Sequence, residues 1–300
     1  MLLFIFFGCT KKNSENKAVS SQEDSLSIYL SKANDFSSTT KKRQEYIQKA
    51  FDIVINQEND SLQRANLFRV ANRYYNLNKW KEYRKISLIV LEKSESSKDS
   101  MSISKVYSYL GDYYGSQGVS DSAFLYYFKS EKLYLNLKDK YNAARTRLNI
   151  ALLQYDESDF LGSEISALKA LRVLKGEKED VTIYELYNLL GLVYNELEEY
   201  DKAIEFHSKA LSLSEANVLP IEIQSKATSM YNIGLVYLNL NQFIKAIPYF
   251  QKGLEQKKRF ALIQTICFCI VIGQFGIFSF QAKRIERTSG NVLQIPKIKG

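Results

Sequence analysis

A chain of 300 residues with 45% hydrophobic content is long enough for one large or two small domains and too apolar to be disordered throughout. Only 3 Pro and 13 Gly stand against 21 Tyr and 17 Phe, which disfavours turn-rich β architectures and suits long helices packed by aromatic rings. The net charge of +8 is concentrated at the ends, in Lys11, Lys12 and Lys17 and in the Lys and Arg beyond residue 250, so the nearly neutral body offers no basic stripe for phosphates and nucleic acid is not an expected partner.

The chain opens Met1-Leu-Leu-Phe-Ile-Phe-Phe-Gly8-Cys9, a short apolar run closing on Gly-Cys and followed at once by Thr10-Lys-Lys. It resembles a bacterial lipoprotein signal, in which a small residue precedes a cysteine that becomes the lipid attachment point. Gly8 and Cys9 match those places, so the resemblance implies a signal over 1–9 and lipidation at Cys9. Phe6 stands where Leu is usual, and no Lys or Arg precedes the apolar run as a secretory signal should have. An uncleaved apolar anchor is the other reading of these residues. Residues 10–24 are polar and read as a flexible tether.

From about residue 25 the sequence repeats itself. Tyr187-Asn-Leu-Leu-Gly191-Leu-Val-Tyr194 is echoed by Tyr231-Asn-Ile-Gly234-Leu-Val-Tyr237, and Ala203 and Ala210 of the following segment by Ala246 and Gly253. Two helices joined by a short turn approach closely only where side chains are small, and aromatic rings then fill the gaps between neighbouring pairs. Gly111 with Tyr114 and Ala123, Ala151 with Ala167 and Ala170, Ala71 with Tyr74 and Trp80, and more weakly Ser31 with Ala50 continue the pattern towards the N-terminus. The first-helix anchors thus fall at 31, 71, 111, 151, 191 and 234.

This arrangement resembles the tetratricopeptide repeat, with a longer period, near 40. It is similar in this to the helical-repeat sensor domains of bacterial signalling regulators, some of which bind peptides. The resemblance implies an all-α fold over 25–260, a right-handed α-solenoid of about six helical hairpins, with Ala71, Gly111, Ala151, Gly191, Ala203, Ala210, Gly234 and Ala246 at the helix crossings. It also implies a concave face lined by the first helix of each hairpin, on which a protein or peptide ligand lies. Asn149, Asn188 and Asn232 stand just before the anchors, where an amide could grip a ligand's backbone or equally bridge neighbouring helices. Asn72, Tyr75, Leu152, Tyr155, Leu192 and Asn195 complete a mixed apolar and amide surface suited to a neutral peptide.

Chemistry is otherwise sparse. His207, the one histidine, occupies the second-helix place where the repeat puts an aromatic ring, and reads as a packed imidazole. There is no phosphate loop, paired-histidine motif or nucleophile elbow, so no enzyme, metal or cofactor is expected. Phe260 to Ala282 carries no charge and is bounded by Lys257, Lys258 and Arg259 on one side and by Lys283, Arg284 and Arg287 on the other. Residues 261–280 have the length of a membrane span, the alternatives being a buried helix closing the solenoid or a non-native tail. Cys267 and Cys269 point to different helix faces and make a poor metal pair. Residues 281–300 form a short basic tail. The expectation is a binding module held at membrane lipid in the cell envelope, its repeats in the periplasm; the alternatives are a cytosolic peptide-responsive regulator and a truncated relative of a regulator with a kinase or DNA-binding effector.

Overall fold

The computed structural model describes residues 24–177, 180–215 and 220–273. The expected signal with Cys9, tether residues 10–23, residues 274–280 of the apolar stretch and the tail 281–300 lie outside them. Every regular element among the described residues is an α-helix: α1 (24–32), α2 (Thr40–Ile55), α3 (Asp60–Asn76), α4 (Trp80–Ser96), α5 (Ser100–Ser116), α6 (Ser120–Asn136), α7 (Lys140–Asp156), α8 (Phe160–Val173), α9 (Asp180–Glu196), α10 (Tyr200–Glu215), α11 (Pro220–Asn239) and α12 (Phe243–Gly273). They alternate as first (A) and second (B) helices of hairpins, an all-α solenoid of tetratricopeptide-like repeats.

The 40-residue period has a simple origin. From α3 to α7 each helix has 17 residues and each connection three, so two helices with their turns make one repeat. The single longer step, from Gly191 to Gly234, coincides with an α11 of 20 residues instead of the 17 of α9.

One turn chemistry serves both halves of the period. The middle turn residue lies in the left-handed region at Asn78, Lys98, Gly118, Lys138, Ser158 and Glu198, with φ between 55 and 70°. The next residue's N–H then reaches the carbonyl five positions back: Asp99 to Ser94 at 2.8 Å, Asp139 to Tyr134 at 2.9 Å, Asp159 to Gln154 at 2.8 Å. This closes the preceding helix in the Schellman manner. The same aspartates then cap the following helix, their Oδ1 atoms accepting from the N–H groups of Ser102, Asn142 and Gly162 at 3.0 to 3.1 Å.

The chain forms two compact units, divided between Ser87 and Leu88. In the first, Leu26, Leu30, Ile47, Ala50, Val54, Leu67 and Ala71 are buried, and Arg43, buried among them, donates from Nε to the Ala33 carbonyl at 2.7 Å. Its guanidinium also lies 4.4 Å from the Phe36 ring. Ser31, expected as the first crossing residue, is exposed, while Ala33 is buried. The cause is the connection between α1 and α2, seven residues instead of three, which puts the first helix out of register with the rest.

In the second unit Ala151, Ala167, Ala170, Ala203, Leu186, Leu190 and Val236 share one core running from α7 to α11. Gly111, Gly191 and Gly234 are buried on their A helices, and Ala210 and Ala246 on their B helices. A methyl at Gly111 would come within 2.5 Å of the Tyr127 ring, one at Gly191 within 2.5 Å of His207, and one at Gly234 within 2.8 Å of Phe250. Where the anchor is alanine, at 71 and 151, the residue 16 positions later is small: Ser87 and Ala167. Size is therefore exchanged across the crossing, ring for hydrogen and methyl for methyl, at constant volume.

Candidate functional site

In the second unit consecutive A helices touch, α7 against α9 and α9 against α11, so the A helices form its more closely spaced layer. Each shows solvent one stripe with the spacing of a helix face: Tyr141, Arg145, Asn149, Leu152 and Asp156 on α7; Val181, Glu185, Asn188, Leu192 and Asn195 on α9; Thr228, Tyr231, Leu235 and Leu238 on α11.

The expected amides do not form one ladder. Asn149 and Asn232 stand two residues before their anchors and Asn188 three, a rotation of about 100° on the helix. Leu189, which shares the register of Asn149 and Asn232, is buried.

Their bonding separates them further. Asn188 belongs to an internal knot: its Oδ1 lies 3.3 Å from His207 Nδ1 on the B helix of its own hairpin and 3.5 Å from Ser229 Oγ on α11. Tyr184 completes the knot, donating to the Ser225 carbonyl at 2.7 Å and accepting from Ser229 at 3.3 Å, with its phenol pushed above the ordinary value by burial. Asn195 accepts from Asn239 Nδ2 at 2.9 Å, linking α9 to α11. The Tyr155 ring packs on Phe160, and its phenol is pushed above the ordinary value by burial, with the nearby Glu196 adding to the effect. Asn188 and Asn195 thus hold neighbouring hairpins together. Asn149 and Asn232 are half-buried and have no hydrogen-bond partner among the described residues. Leu152 is half-buried against the core, and Leu192 is half-buried.

In the first unit Asn72 is half-buried and Tyr75 is exposed, its ring 5.2 Å from Trp80 and 5.4 Å from Tyr83. Sequence reasoning passed over Tyr231 and Leu238, 37% and 40% exposed on α11. Tyr231 was open to discovery, since it lies three residues before Gly234 as Asn188 lies three before Gly191.

His207 is buried under the Gly191 crossing. Its Nε2 has no partner among the described residues, and burial draws its pKa from 6.5 down to about 4. Among the described residues no cluster of His, Cys, Asp and Glu is arranged to hold a metal ion, and no helix is long and apolar enough to cross a membrane. The backbone of 261–273 continues α12 without a break, its side chains being outside the described residues.

Residues 182–259, the last two hairpins, match the tetratricopeptide repeat family model. Among solved structures the fold is similar to the apo form of the quorum sensor NprR from B. thuringiensis, with a TM-score of 0.61 at 14% identity over 90% of this chain and 77% of that one. It is similar also to NprR in complex with its cognate peptide NprX, with a TM-score of 0.55 at 14% identity over 92% and 78% of the two chains. BtubC from P. vanneervenii matches with a TM-score of 0.53 at 17% identity, over 88% of this chain and 96% of that one. At these identities the likeness is one of fold. No curated protein matches the sequence.

Proposed function

We propose that this chain is a non-enzymatic binding module that holds a segment of another protein, or a peptide, along the A-helix stripes of its second unit. The observation that carries the reading is the surface of the A helices: Asn149 on the α7 stripe and Asn232 at the edge of the α11 stripe, next to the exposed Tyr231, are half-buried amides without a partner among the described residues, and Leu238 is exposed further along α11. An amide offers a donor and an acceptor to any peptide backbone, and exposed apolar groups next to it supply the area that affinity needs. The likeness of fold to NprR, solved with its cognate peptide, supports a peptide as occupant. The module works at a membrane of the cell envelope, a part of the proposal supported by the Gly8-Cys9 junction and the uncharged stretch 261–280.

The test is a random peptide library selected on the full chain. Selected peptides should bind the Asn149→Ala, Asn232→Ala double variant at least tenfold more weakly at an unchanged melting temperature. Asn188→Ala should instead lower the melting temperature, because it leaves buried partners unpaired at a cost of about 1 to 3 kcal/mol. Peptides that bind the double variant as tightly as the parent would sink the reading. The location is tested separately: Cys9→Ser should abolish incorporation of labelled fatty acid, and a chain that stays unlabelled and soluble before mutation would favour a cytosolic peptide-responsive regulator.

A further inference from the structure

In the second unit the B helices α6, α8 and α10 are each covered by the A helix that follows. On α8, Phe160 and Leu171 pack partly buried against the shared core to which α9 contributes, and on α10 Tyr200 and Ile204 pack partly buried against the same core, to which α11 contributes Val236. The register passes to α12 with a step of 43, so that Phe243, Ile247 and Leu254 correspond to Tyr200, Ile204 and Leu211. On α12 they are 55%, 52% and 55% exposed, with Ile244 beside them, and no helix follows α12 among the described residues. From Phe243 to Leu254 the face runs about 16 Å, three helical turns. A repeat array needs such a face covered.

Charge selects the occupant. At the C-terminal end of the stripe the exposed Lys257 and Lys258 flank it, with Glu255 as the single acid beside them; Lys245 is turned to the other side, over the Tyr237 ring of α11. Between α10 and α11 the matching place holds an ion pair, Glu215 with Lys226 at 2.9 Å. Lys258 takes the register of Glu215, so the sign is inverted and the covering helix needs a carboxylate where α11 has Lys226. The α12 of a second copy would bring the same lysines against these, and residues 274–300 of this chain are themselves basic. Lipid fits poorly as well, because a helix entering a bilayer at residue 261 holds Ile244 about 25 Å outside it. We propose that the outer face of α12 docks an amphipathic helix of a partner protein with acidic flanks, seated as α11 is on α10.

The probe is a labelled peptide of residues 220–239 carrying Lys226→Glu, titrated against the full chain by fluorescence anisotropy, with the unaltered peptide beside it. The acidic peptide should bind at least threefold more tightly than the unaltered one, with the gap closing at high salt. Ile247→Asp should weaken its binding at least tenfold at an unchanged helical spectrum and melting curve, since that side chain is exposed in the free protein. Four results would overturn the proposal: no binding of the acidic peptide; equal binding of both peptides at low salt; binding indifferent to Ile247→Asp; or a face already occupied. The last would appear as a dimer that Ile247→Asp splits, or as phosphatidylglycerol vesicles that compete with the peptide and release the Ile247→Asp chain.

Discussion

His207 shows what a crossing residue costs when it is polar. Its ring fills the space that Gly191 leaves, as the Phe250 ring does over Gly234, but Nε2 is buried without a partner and burial holds the imidazole neutral down to about pH 4. The unfolded chain takes up this proton near 6.5, so from there down to about 4 the unfolded state binds a proton that the fold refuses. Stability is therefore complete above 6.5, falls as the pH drops through that window, and loses no more to this group below it. At 1.36 kcal/mol per pH unit the loss is about 3 kcal/mol over this window. Urea titrations at pH 7, 5.5 and 4.5 on the parent and on His207→Phe should show a steeper fall in the parent. Parallel falls in the two proteins would assign the acid sensitivity to other groups.

At the scale of elements, the turns make their own predictions. Lys98, Lys138 and Ser158 hold a left-handed conformation that costs an L-residue about 1 to 2 kcal/mol, and Gly118 holds the same one without that cost. Ser158→Gly should stabilise by about 0.5 to 1 kcal/mol after allowing for the freer unfolded chain, and Gly118→Ala should destabilise by about 1 kcal/mol, both read from denaturant midpoints. Asp139→Ala, which removes the bond to the Asn142 N–H, should lose about 1 kcal/mol. These turns were hidden in the sequence because Asn, Lys, Ser and Glu at the left-handed position carry no glycine signature. The helix crossings were legible because Ala71, Gly111, Ala151, Gly191 and Gly234 are all small and evenly spaced. The site was legible in part: the spacing located the A-helix faces, but composition could not separate Asn188, tied to His207 and Ser229, from Asn149 and Asn232, since bonding across 40 residues leaves no local trace.

For the molecule as a whole, stability in a repeat array is a sum over hairpins and the interfaces between them, so one weakened interface uncouples what lies on either side. The junction of α6 with α7 offers the sharpest test. Arg147 on α7 donates from Nε and Nη2 to the two carboxylate oxygens of Glu131 on α6, each at 2.5 Å, with the guanidinium 5.6 Å from the Phe128 ring. Glu131 is buried, and its carboxyl titrates above the ordinary value because burial outweighs the attraction of Arg147. Arg147 is its hydrogen-bonded partner, and Lys169 adds a weaker attraction. Removing either side alone strands the other in the interface at a cost of about 3 to 5 kcal/mol, whereas replacing both with apolar residues of similar size should cost far less. Arg147→Met should therefore melt early, and Glu131→Leu, Arg147→Met together should recover most of the loss. In the single variant the hairpins before and after the junction should unfold in separate steps, visible as non-coincident transitions by circular dichroism and by hydrogen exchange of α5 against α9. A double variant as unstable as the singles would mean that the ion pair itself, and not the stranded charge, holds the two hairpins together.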